Sequence, residues 1–588
     1  MIQDFLSKAK RGEPVYITDV RDAFEHEQAT VECVTSLTCG GDHRFTIRLP
    51  NAQNAEEEAF VREYFYACVY NLISTLGGKS MSLYTQNEAA RALCKTLTSV
   101  FQVSSPKAER DGYGKCLNVT DRVNASLGYA PFSFRICDTM PDMEIPPLRP
   151  VQAVKAFRCA VKNAGSATLC GVDIGGTDIK VVGIQDGKLK VVKEYDWFPA
   201  SFATAEQIIE PILLLVRVVA ASLGMPADVP PDTGKVCEAM LSRRASDAQM
   251  LEMVSYIEQN FGSASFDGIG VCFPDVVVND MIVGGETHKT SGMRKHSDDY
   301  DTEFAKLAQL KTQLLQRYCR PGGVIHMSND GSLAAYTAAV ELAHSEMADT
   351  VPDGVFAHTL GTELGTGWID ESGEIPQIPL EVYNCIIDLG NYPAREFDML
   401  DARSVRNFNT GLPGTLQKYA SQSGAYRLAL RYFQKDAPKL YKELFSEGFL
   451  EDRDGGVYVV SSPKDMRKPL LEHLMTLCDA GNPQAKHIFT RIGEYMAVTW
   501  RVTEDMLAPR TKARILFGRF IKRERCFARI QEGAAAKYGV SLTAANDELA
   551  YTPIMRELEA DPDHTVAQFA QAVGAAYFAA SVLQQTRN

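Results

Sequence analysis

Several features that would indicate particular protein classes are missing from this 588-residue chain. Basic residues are not in excess: 61 Lys and Arg stand against 74 Asp and Glu, for a net charge of −13. Because nucleic-acid binding needs a positive field, we expect no nucleic-acid partner. We find no apolar run long enough to predict a transmembrane helix, and so expect no membrane partner. The start at Met1 lacks a basic stretch followed by an apolar core, so we expect no secretory signal and a cytoplasmic protein.

Paired cysteine motifs are also missing. The chain has 14 cysteines, and none of them are spaced as C-x-x-C. Cys68, Cys272 and Cys385 lie in apolar runs, where cysteine behaves as a small buried hydrophobic residue. This spacing supports neither a zinc site nor a disulfide framework, and it agrees with a reducing compartment.

The most informative stretch runs from residue 170 to residue 184. Two apolar runs meet at Asp173-x-Gly175-Gly176-Thr177, a pattern that predicts a β-hairpin with a glycine-rich turn. Such a turn lets the backbone approach an anion closely. Thr177 could donate a hydroxyl to a phosphate, Asp173 could hold Mg²⁺ through water, and Lys180 could add positive charge. The alternative is a plain hairpin turn without a ligand.

Residues 1–150 form a segment without a recognisable chemical motif. Ala29–Thr38 and His43–Pro50 read as strands, and Asn54 is a plausible N-cap for the helix that follows. Prolines accumulate between residues 141 and 150, a composition typical of linkers. We therefore predict an α+β accessory domain that ends near residue 150.

Two later strands end in polar residues. Phe266–Phe273 opens into a polar loop that begins at Pro274 and Asp275 and could hold a polyhydroxylated ligand. Val324–Ser328 ends in Asn329 and Asp330, just before an alanine-rich helix. Ligands usually bind at such strand ends in α/β folds. An ordinary solvated loop and a simple helix cap remain the alternatives.

The first hairpin pattern recurs near residue 360. Val355–Ile369 again reads as strand, Gly/Thr turn and strand, with Gly361, Thr362 and Gly365 at the turn. Two such hairpins predict a duplicated fold whose lobes face a shared cleft. Further on, Arg514–Gly518 reads as a strand, and the last helix contains small residues that permit close helix packing.

In order, these motifs resemble those of the ROK family (repressors, uncharacterised reading frames and sugar kinases). The resemblance covers about residues 168 to 588. Its markers are Asp173-x-Gly175-Gly176-Thr177-x-x-Lys180, Gly270-Val271-x-x-Pro274, Asn329-Asp330, Thr359-Leu360-Gly361-Thr362 with Gly365, Glu381, Gly518 and Gly574-Ala575-Ala576.

The resemblance implies an α/β fold: a two-lobed actin-like (ribonuclease H-like) ATPase. The lobes would span residues 151–345 and 346–588 after the accessory domain, with the C-terminal helix returning to the first lobe. It also implies ATP-dependent phosphorylation of a sugar hydroxyl, with Mg²⁺ held through water at Asp173. Dimers are common in the family, so a homodimer is the expected assembly.

The resemblance also implies roles for individual residues. Asp330 would be the general base, which orients the attacking hydroxyl in phosphoryl transfer. The sugar would contact four residues, and the phosphates and adenosine would contact the glycine motifs. The sugar-binding residues would be Asn329, Glu381, Asn384 and Asp275, and the nucleotide-binding residues Asp173, Gly175, Gly176, Thr177, Lys180, Gly361, Thr362, Gly365 and Gly518.

Three positions depart from the family pattern. Asn384 replaces a histidine that contacts sugar and often binds zinc, and no cysteine cluster follows, so we expect no zinc. Glu363 stands where a glycine is usual and would repel ATP phosphates, and Arg519 could block or stack on the nucleotide. These departures keep a second reading open, a non-catalytic sugar or nucleotide sensor or scaffold. A dehydratase-activator ATPase is a third, although its Fe–S cysteine spacing is absent.

Overall fold

The computed structural model describes residues 1–39, 41–142, 149–226, 228–284, 291–361, 364–391, 402–407, 409–453, 456–545 and 549–583. Sheets flanked by helices dominate these ranges. Each of the three sequence regions contributes one larger sheet.

The N-terminal region (residues 1–142) is a mixed sheet covered by helices. Its strand order is β2-β1-β3-β4. Asn54 caps the long helix α3 by accepting a hydrogen bond from the Glu57 N–H at 3.0 Å. The elements of this region are α1 (Ile2–Lys10), α2 (Ile17–His26), β1 (Thr30–Cys39), β2 (Gly41–Pro50), α3 (Ala55–Leu76), β3 (Ser80–Tyr84), α4 (Glu88–Val100), α5 (Cys116–Ser126) and β4 (Ser133–Cys137).

The first lobe is built on a sheet of order β11-β8-β5-β6-β7. Strands β5, β6 and β7 are antiparallel neighbours, whereas β8 and β11 run parallel to β5. Its elements are α6 (Ala153–Ala164), β5 (Leu169–Ile174), β6 (Asp178–Gln185), β7 (Lys188–Asp196), α7 (Ala205–Gly224), α8 (Pro231–Leu241), α9 (Asp247–Phe261), β8 (Phe266–Phe273), β9 (Val277–Val278), β10 (Met281–Ile282), α10 (Ser291–His296), α11 (Tyr300–Ala305), α12 (Gln309–Tyr318), β11 (Cys319–Asn329) and α13 (Asp330–Leu342).

The second lobe repeats this plan in shorter form. Its main sheet has the order β13-β12-β16-β17, with an antiparallel β12–β13 hairpin and parallel β16 and β17. Its elements, which include the C-terminal helices, are β12 (Val355–Leu360), β13 (Leu364–Ile369), α14 (Gln422–Asp436), α15 (Pro438–Ser446), β14 (Leu450–Arg453), β15 (Gly456–Val459), α16 (Arg467–Asp479), α17 (Pro483–Leu507), β16 (Arg514–Gly518), α18 (Glu524–Tyr538), β17 (Thr543–Ala544), α19 (Pro553–Glu559) and α20 (Val566–Ser581).

The two main sheets share one topology. In each, a hairpin begins the sheet, and later parallel strands add on the other side of the hairpin's first strand. This is the ribonuclease H-like order, and its occurrence in both lobes confirms the predicted fold class. The apolar residues of the N-terminal region and those of the second lobe form one continuous core.

Helix α20 crosses onto the sheet of the first lobe. Gly171 of β5 and Gly270 of β8 face it so closely that an added Cβ would lie 1.8 and 1.7 Å from the carbonyl oxygens of Ala572 and Ala575. A Cβ at Gly574 would likewise meet the Thr337 hydroxyl at 1.8 Å. Gly171 and Gly270 on the sheet and Gly574 on the helix therefore permit the close packing predicted for the last helix.

Helix α7 corrects one expectation from the sequence. Among the described residues, α7 is the one helix that is long and apolar enough to span a membrane, whereas no such run was expected from the sequence. Most of its side chains are buried in the core of the first lobe. Arg217 on its other face binds Glu258 of α9 through two hydrogen bonds, at 3.0 and 2.6 Å. This apolar helix is therefore part of the core of the first lobe.

Candidate active site

Two neighbouring parallel strands place the first group of polar residues. Strands β8 and β11 end side by side, with Phe273 in register with Asn329. The Asn329 side chain joins the two ends, because its Nδ2 donates to the Asp275 carbonyl oxygen at 3.0 Å. Its Oδ1 accepts from the Gly331 N–H at 2.9 Å and so caps helix α13.

Asp330 is the first residue of helix α13. One carboxylate oxygen accepts from the Gly331 N–H at 2.8 Å. The positive end of the helix dipole lies at this position and favours a negative charge there. Gly331 also brings the helix close to the second lobe, because an added Cβ would lie 2.6 Å from the Thr366 carbonyl oxygen of β13. Asp330 therefore lies where the two lobes meet.

Asp275 is a buried carboxylate with an unfilled acceptor. It is 2 % exposed, and its Oδ1 accepts from the Val276 N–H at 2.9 Å. Its Oδ2 has no hydrogen-bond partner among the described residues. Burial raises the pKa of Asp275 to about 7, against the opposing influence of Arg122 and Arg294. The side chain is thus available to a hydroxyl donor.

Glu381 approaches from an irregular segment of the second lobe. Its Oε2 accepts hydrogen bonds from the Tyr383 hydroxyl and from Asn384 Nδ2, the latter at 2.9 Å. The Asn384 Oδ1 in turn accepts from Asn407 Nδ2 at 2.9 Å. Both ends of the Asn384 amide are therefore engaged within the protein, and this predicted sugar-binding residue lies behind Glu381.

These residues surround a cavity of about 410 Å³ between the lobes. Its wall contains Asp275, Asn329 and Asp330 from the first lobe, and Gly365 and Glu381 from the second. None of the described lining residues is Lys, Arg or His. The structure thus brings together predicted residues of both lobes around a space lined by carboxylates and amides.

The first glycine-rich turn has the predicted hairpin form. The indole Nε1 of Trp197 donates to the Gly175 carbonyl oxygen at 3.0 Å, and its backbone N–H donates to that of Thr177 at 3.0 Å. Gly176 and Thr177 are exposed, and Asp173 lies half-buried at the end of β5. Lys180 forms an ion pair with Asp178, so part of its charge is neutralised within the protein.

The second turn is described only in part, because Thr362 and Glu363 lie outside the described residues. The Gly361 carbonyl oxygen accepts from the Gln422 N–H at 3.0 Å, and Gly365 reaches the cavity. Gly518 has φ of 93°, and a Cβ there would lie 2.4 Å from the Leu360 carbonyl oxygen. The fold itself therefore requires glycine at position 518.

Arg519, which the sequence placed beside the nucleotide, is turned toward a neighbouring helix. Its guanidinium forms an ion pair with Glu472 of α16. The side chain is 32 % exposed. The charge of Arg519 is therefore paired with Glu472 within the second lobe.

The residues around the first turn fit a magnesium nucleotide. Mg²⁺ is commonly held by one or two carboxylates together with substrate phosphates and water. One carboxylate, Asp173, beside an exposed glycine turn meets that requirement. Within the described ranges there is no group of three or more His, Cys, Asp or Glu side chains that could hold a metal without a substrate. A magnesium ion at this turn would be held by Asp173 together with the phosphates of a nucleotide.

Sequence reasoning missed several polar residues on the cavity wall, among them Tyr383, Asn409 and Gln571. Gln571 belongs to α20, and its Nε2 donates to the Asp330 carbonyl oxygen at 3.4 Å. Its Oε1 has no hydrogen-bond partner among the described residues. The sequence offered one signal for Gln571, its position one helical turn before the small residues that bring α20 onto the sheet. Asn409 gave no such signal.

No protein-family model and no curated protein matches this chain. Solved structures do match it. A ROK family glucokinase from Streptomyces griseus is 16% identical with a TM-score of 0.36, and the match covers 70% of this chain and 98% of that chain. The ROK hexokinase from Thermus thermophilus is 15% identical with a TM-score of 0.36, and the match covers 70% of this chain and 98% of that chain. The Leishmania braziliensis glucokinase is 11% identical with a TM-score of 0.37, and the match covers 72% of this chain and 97% of that chain. The first two belong to the family whose motifs this sequence resembles.

Proposed function

We propose that this protein transfers the γ-phosphoryl group of ATP to a hydroxyl of a sugar or sugar-like substrate. Asp330 is the general base, and Asp275, Asn329 and Glu381 bind the sugar. The main support is the cavity between the lobes, which gathers these side chains around a volume of about 410 Å³. A cavity of this size suits a small molecule.

The hydrogen-bonding capacity of the cavity favours a polyhydroxylated ligand. Asp275 Oδ2 and Gln571 Oε1 are acceptors without partners among the described residues. Leaving buried acceptors unsatisfied is unfavourable, and hydroxyl groups of a sugar would satisfy them. Three carboxylates and no described cation line the space. We therefore expect a neutral or positively charged sugar rather than a sugar phosphate or a uronic acid.

The role of Asp330 follows from its position at the meeting point of the lobes. A carboxylate there can orient a hydroxyl and accept its proton as the phosphoryl group is transferred. ATP with Mg²⁺ supplies the phosphoryl group, and Asp173 and the turn at Gly175–Thr177 would hold its phosphates. Closure of the lobes would exclude water, which limits simple hydrolysis of ATP.

The test is ADP release measured with ATP and Mg²⁺ against a panel of hexoses, amino sugars and polyols. We expect sugar-dependent release by the wild-type protein and its loss in Asp330→Asn. Release without sugar, or release that survives in the variant, would contradict the assignment. If no sugar supports turnover but sugars still raise the melting temperature, the sensor or scaffold reading replaces the kinase.

A further inference from the structure

The substrate side of the second lobe is supported by the N-terminal region rather than by its own sheet. Glu381 lies in residues 379–386, here called the Glu381 segment. Between β13 and α14, the described residues form short 3₁₀ turns and isolated bridges, without an α-helix or a paired strand. Such a segment needs support from elsewhere to hold a carboxylate in one place.

Helix α3 supplies that support through its last turn. The final carbonyl groups of a helix have no partners within it. Here the Leu380 N–H donates to the Thr75 carbonyl oxygen at 3.0 Å, and the Glu381 N–H donates to that of Ser74 at 3.2 Å. The backbone of Glu381 is therefore bound directly to the end of α3.

Asn71 adds a two-way contact one turn earlier. Its Nδ2 donates to the Ile386 carbonyl oxygen at 2.9 Å, and its Oδ1 accepts from the Ile386 N–H at 2.8 Å. The side chain is 3 % exposed, so these hydrogen bonds are shielded from water. Asn71 thus pairs with the Glu381 segment as a neighbouring strand would, and it holds the segment at its far end.

The packing at this contact is close and locally strained. Gly77 ends α3 with φ of 69°, and an added Cβ would lie 2.9 Å from Pro379 Cγ. Leu380 has φ of 51°, a left-handed conformation that is uncommon for residues with a side chain. Such conformations persist where surrounding contacts impose them and often occur at functional sites. The contacts with α3 are those that impose it here.

The N-terminal region also reaches the other wall of the cavity. Val119 and Val123 of α5 form a small apolar cluster with Val276, Val278 and Val283, which follow Asp275. Arg122 Nη2 donates to Asp301 of the first lobe at 2.9 Å. One region therefore contacts the chain segments that carry both Glu381 and Asp275.

We infer that the N-terminal region is a positioning element of the substrate site, and that Asn71 of helix α3 holds Glu381 in place for the sugar. This inference depends on the proposed sugar kinase function, because it assigns Glu381 to sugar binding. Asn71 does not line the cavity between the lobes, so it acts through the Glu381 segment and does not contact the sugar itself. The N-terminal region becomes part of the specificity of the enzyme.

The test compares Asn71→Ala with Asn87→Ala in the full chain. Asn87 caps α4 in the same region and accepts from the Ala90 N–H at 3.0 Å, so its loss controls for general destabilisation. We expect Asn71→Ala to raise the KM for sugar roughly tenfold, as expected for losing shielded hydrogen bonds. The KM for ATP should stay unchanged, and Asn87→Ala should leave both values near wild type. Equal effects of the two variants on the KM for sugar would overturn the inference.

A second measurement does not depend on turnover. Amide hydrogen exchange at Leu380, Glu381 and Ile386 should become roughly tenfold faster in Asn71→Ala but not in Asn87→Ala. Unchanged exchange at these amides would overturn the inference even for a protein without kinase activity, whereas absent turnover with faster exchange would contradict only the proposed function. If Asn71→Ala does not fold, Thr75→Val removes the hydroxyl that contacts Cys385 Sγ at 3.3 Å, with the same directions of change expected.

Discussion

The two walls of the cavity between the lobes are held in different ways. On the first-lobe wall, Asp275, Asn329 and Asp330 follow the ends of adjacent parallel strands, and a helix begins among them. On the second-lobe wall, Glu381 lies on an irregular segment that the end of helix α3 binds. Asn329 and Asp330 of the first wall are fixed by local secondary structure, whereas the second wall depends on a contact with residues about 310 positions earlier in the chain.

This difference suggests a division of labour. Chemistry requires a group held to within a fraction of an ångström, which regular elements provide better than loops. Binding of a particular sugar needs less precise positioning, so the second wall can be altered without displacing Asp330. We therefore expect substitutions on the first wall to change kcat, and substitutions on the second wall to change mainly the KM for sugar.

The largest effect is expected for Asp330→Asn. This isosteric change removes the proton acceptor, and general bases contribute roughly 10²- to 10⁴-fold to rates. We expect kcat for sugar phosphorylation to fall by about that factor in steady-state assays. Sugar should still raise the melting temperature of the variant, because Asp275, Asn329 and Glu381 remain. A changed KM for sugar with kcat preserved would contradict the distinction between the two walls.

The elements of the first wall carry local signals in the sequence, whereas Glu381 of the second wall was expected from the family resemblance alone. Both hairpins, the ends of β8 and β11 and the start of α13 have local signals, namely apolar runs followed by glycine or by capping residues. The sequence placed Asp275 and Asp330 each at the end of a strand, and the adjacency of those two strands, β8 and β11, is a finding of the structure.

The support of the second wall could not be predicted in this way. The pairing of Asn71 with Ile386 joins residues 315 positions apart, and an asparagine inside a helix carries no local sign of its partner. Asn384 shows the same limit, since its retreat behind Glu381 depends on Asn407. The shared core of the N-terminal region and the second lobe is likewise a property of packing between distant segments.

The next largest effect is expected for Glu381→Gln on the second wall. The variant keeps its shape but loses a charged acceptor, and hydrogen bonds to charged groups contribute about 1.5–3 kcal/mol. We expect kcat/KM for sugar to fall roughly ten- to hundredfold, mainly through KM. The KM for ATP serves as the internal control. An equal loss in kcat would place Glu381 with Asp330 in the chemical step.

Asp275 should make the first wall sensitive to pH. Its folded pKa of about 7 lies above the ordinary aspartate value of about 3.9. A raised pKa stabilises the fold fully below the ordinary value, and that contribution is lost as the pH rises through 7. We therefore expect the melting temperature of the wild-type protein to fall more steeply between pH 5 and pH 8 than that of Asp275→Asn. Parallel melting profiles would contradict the assigned shift.

The smallest expected effect concerns the first glycine-rich turn, where Asp178 forms an ion pair with Lys180. In Asp178→Asn the lysine is released toward the phosphates and one repelling charge is removed, so the KM for ATP should fall. Ion pairs of this kind contribute up to about 1 kcal/mol, which corresponds to a change of up to roughly fivefold. The change should shrink at high salt because the charges are screened. Asp186→Asn, in the turn at the other end of β6, is the matched control and should leave the KM for ATP unaltered. A higher KM for ATP in Asp178→Asn would show instead that the ion pair orients Lys180 for the nucleotide, and both walls of the cavity would then face a phosphate site that is already preorganised.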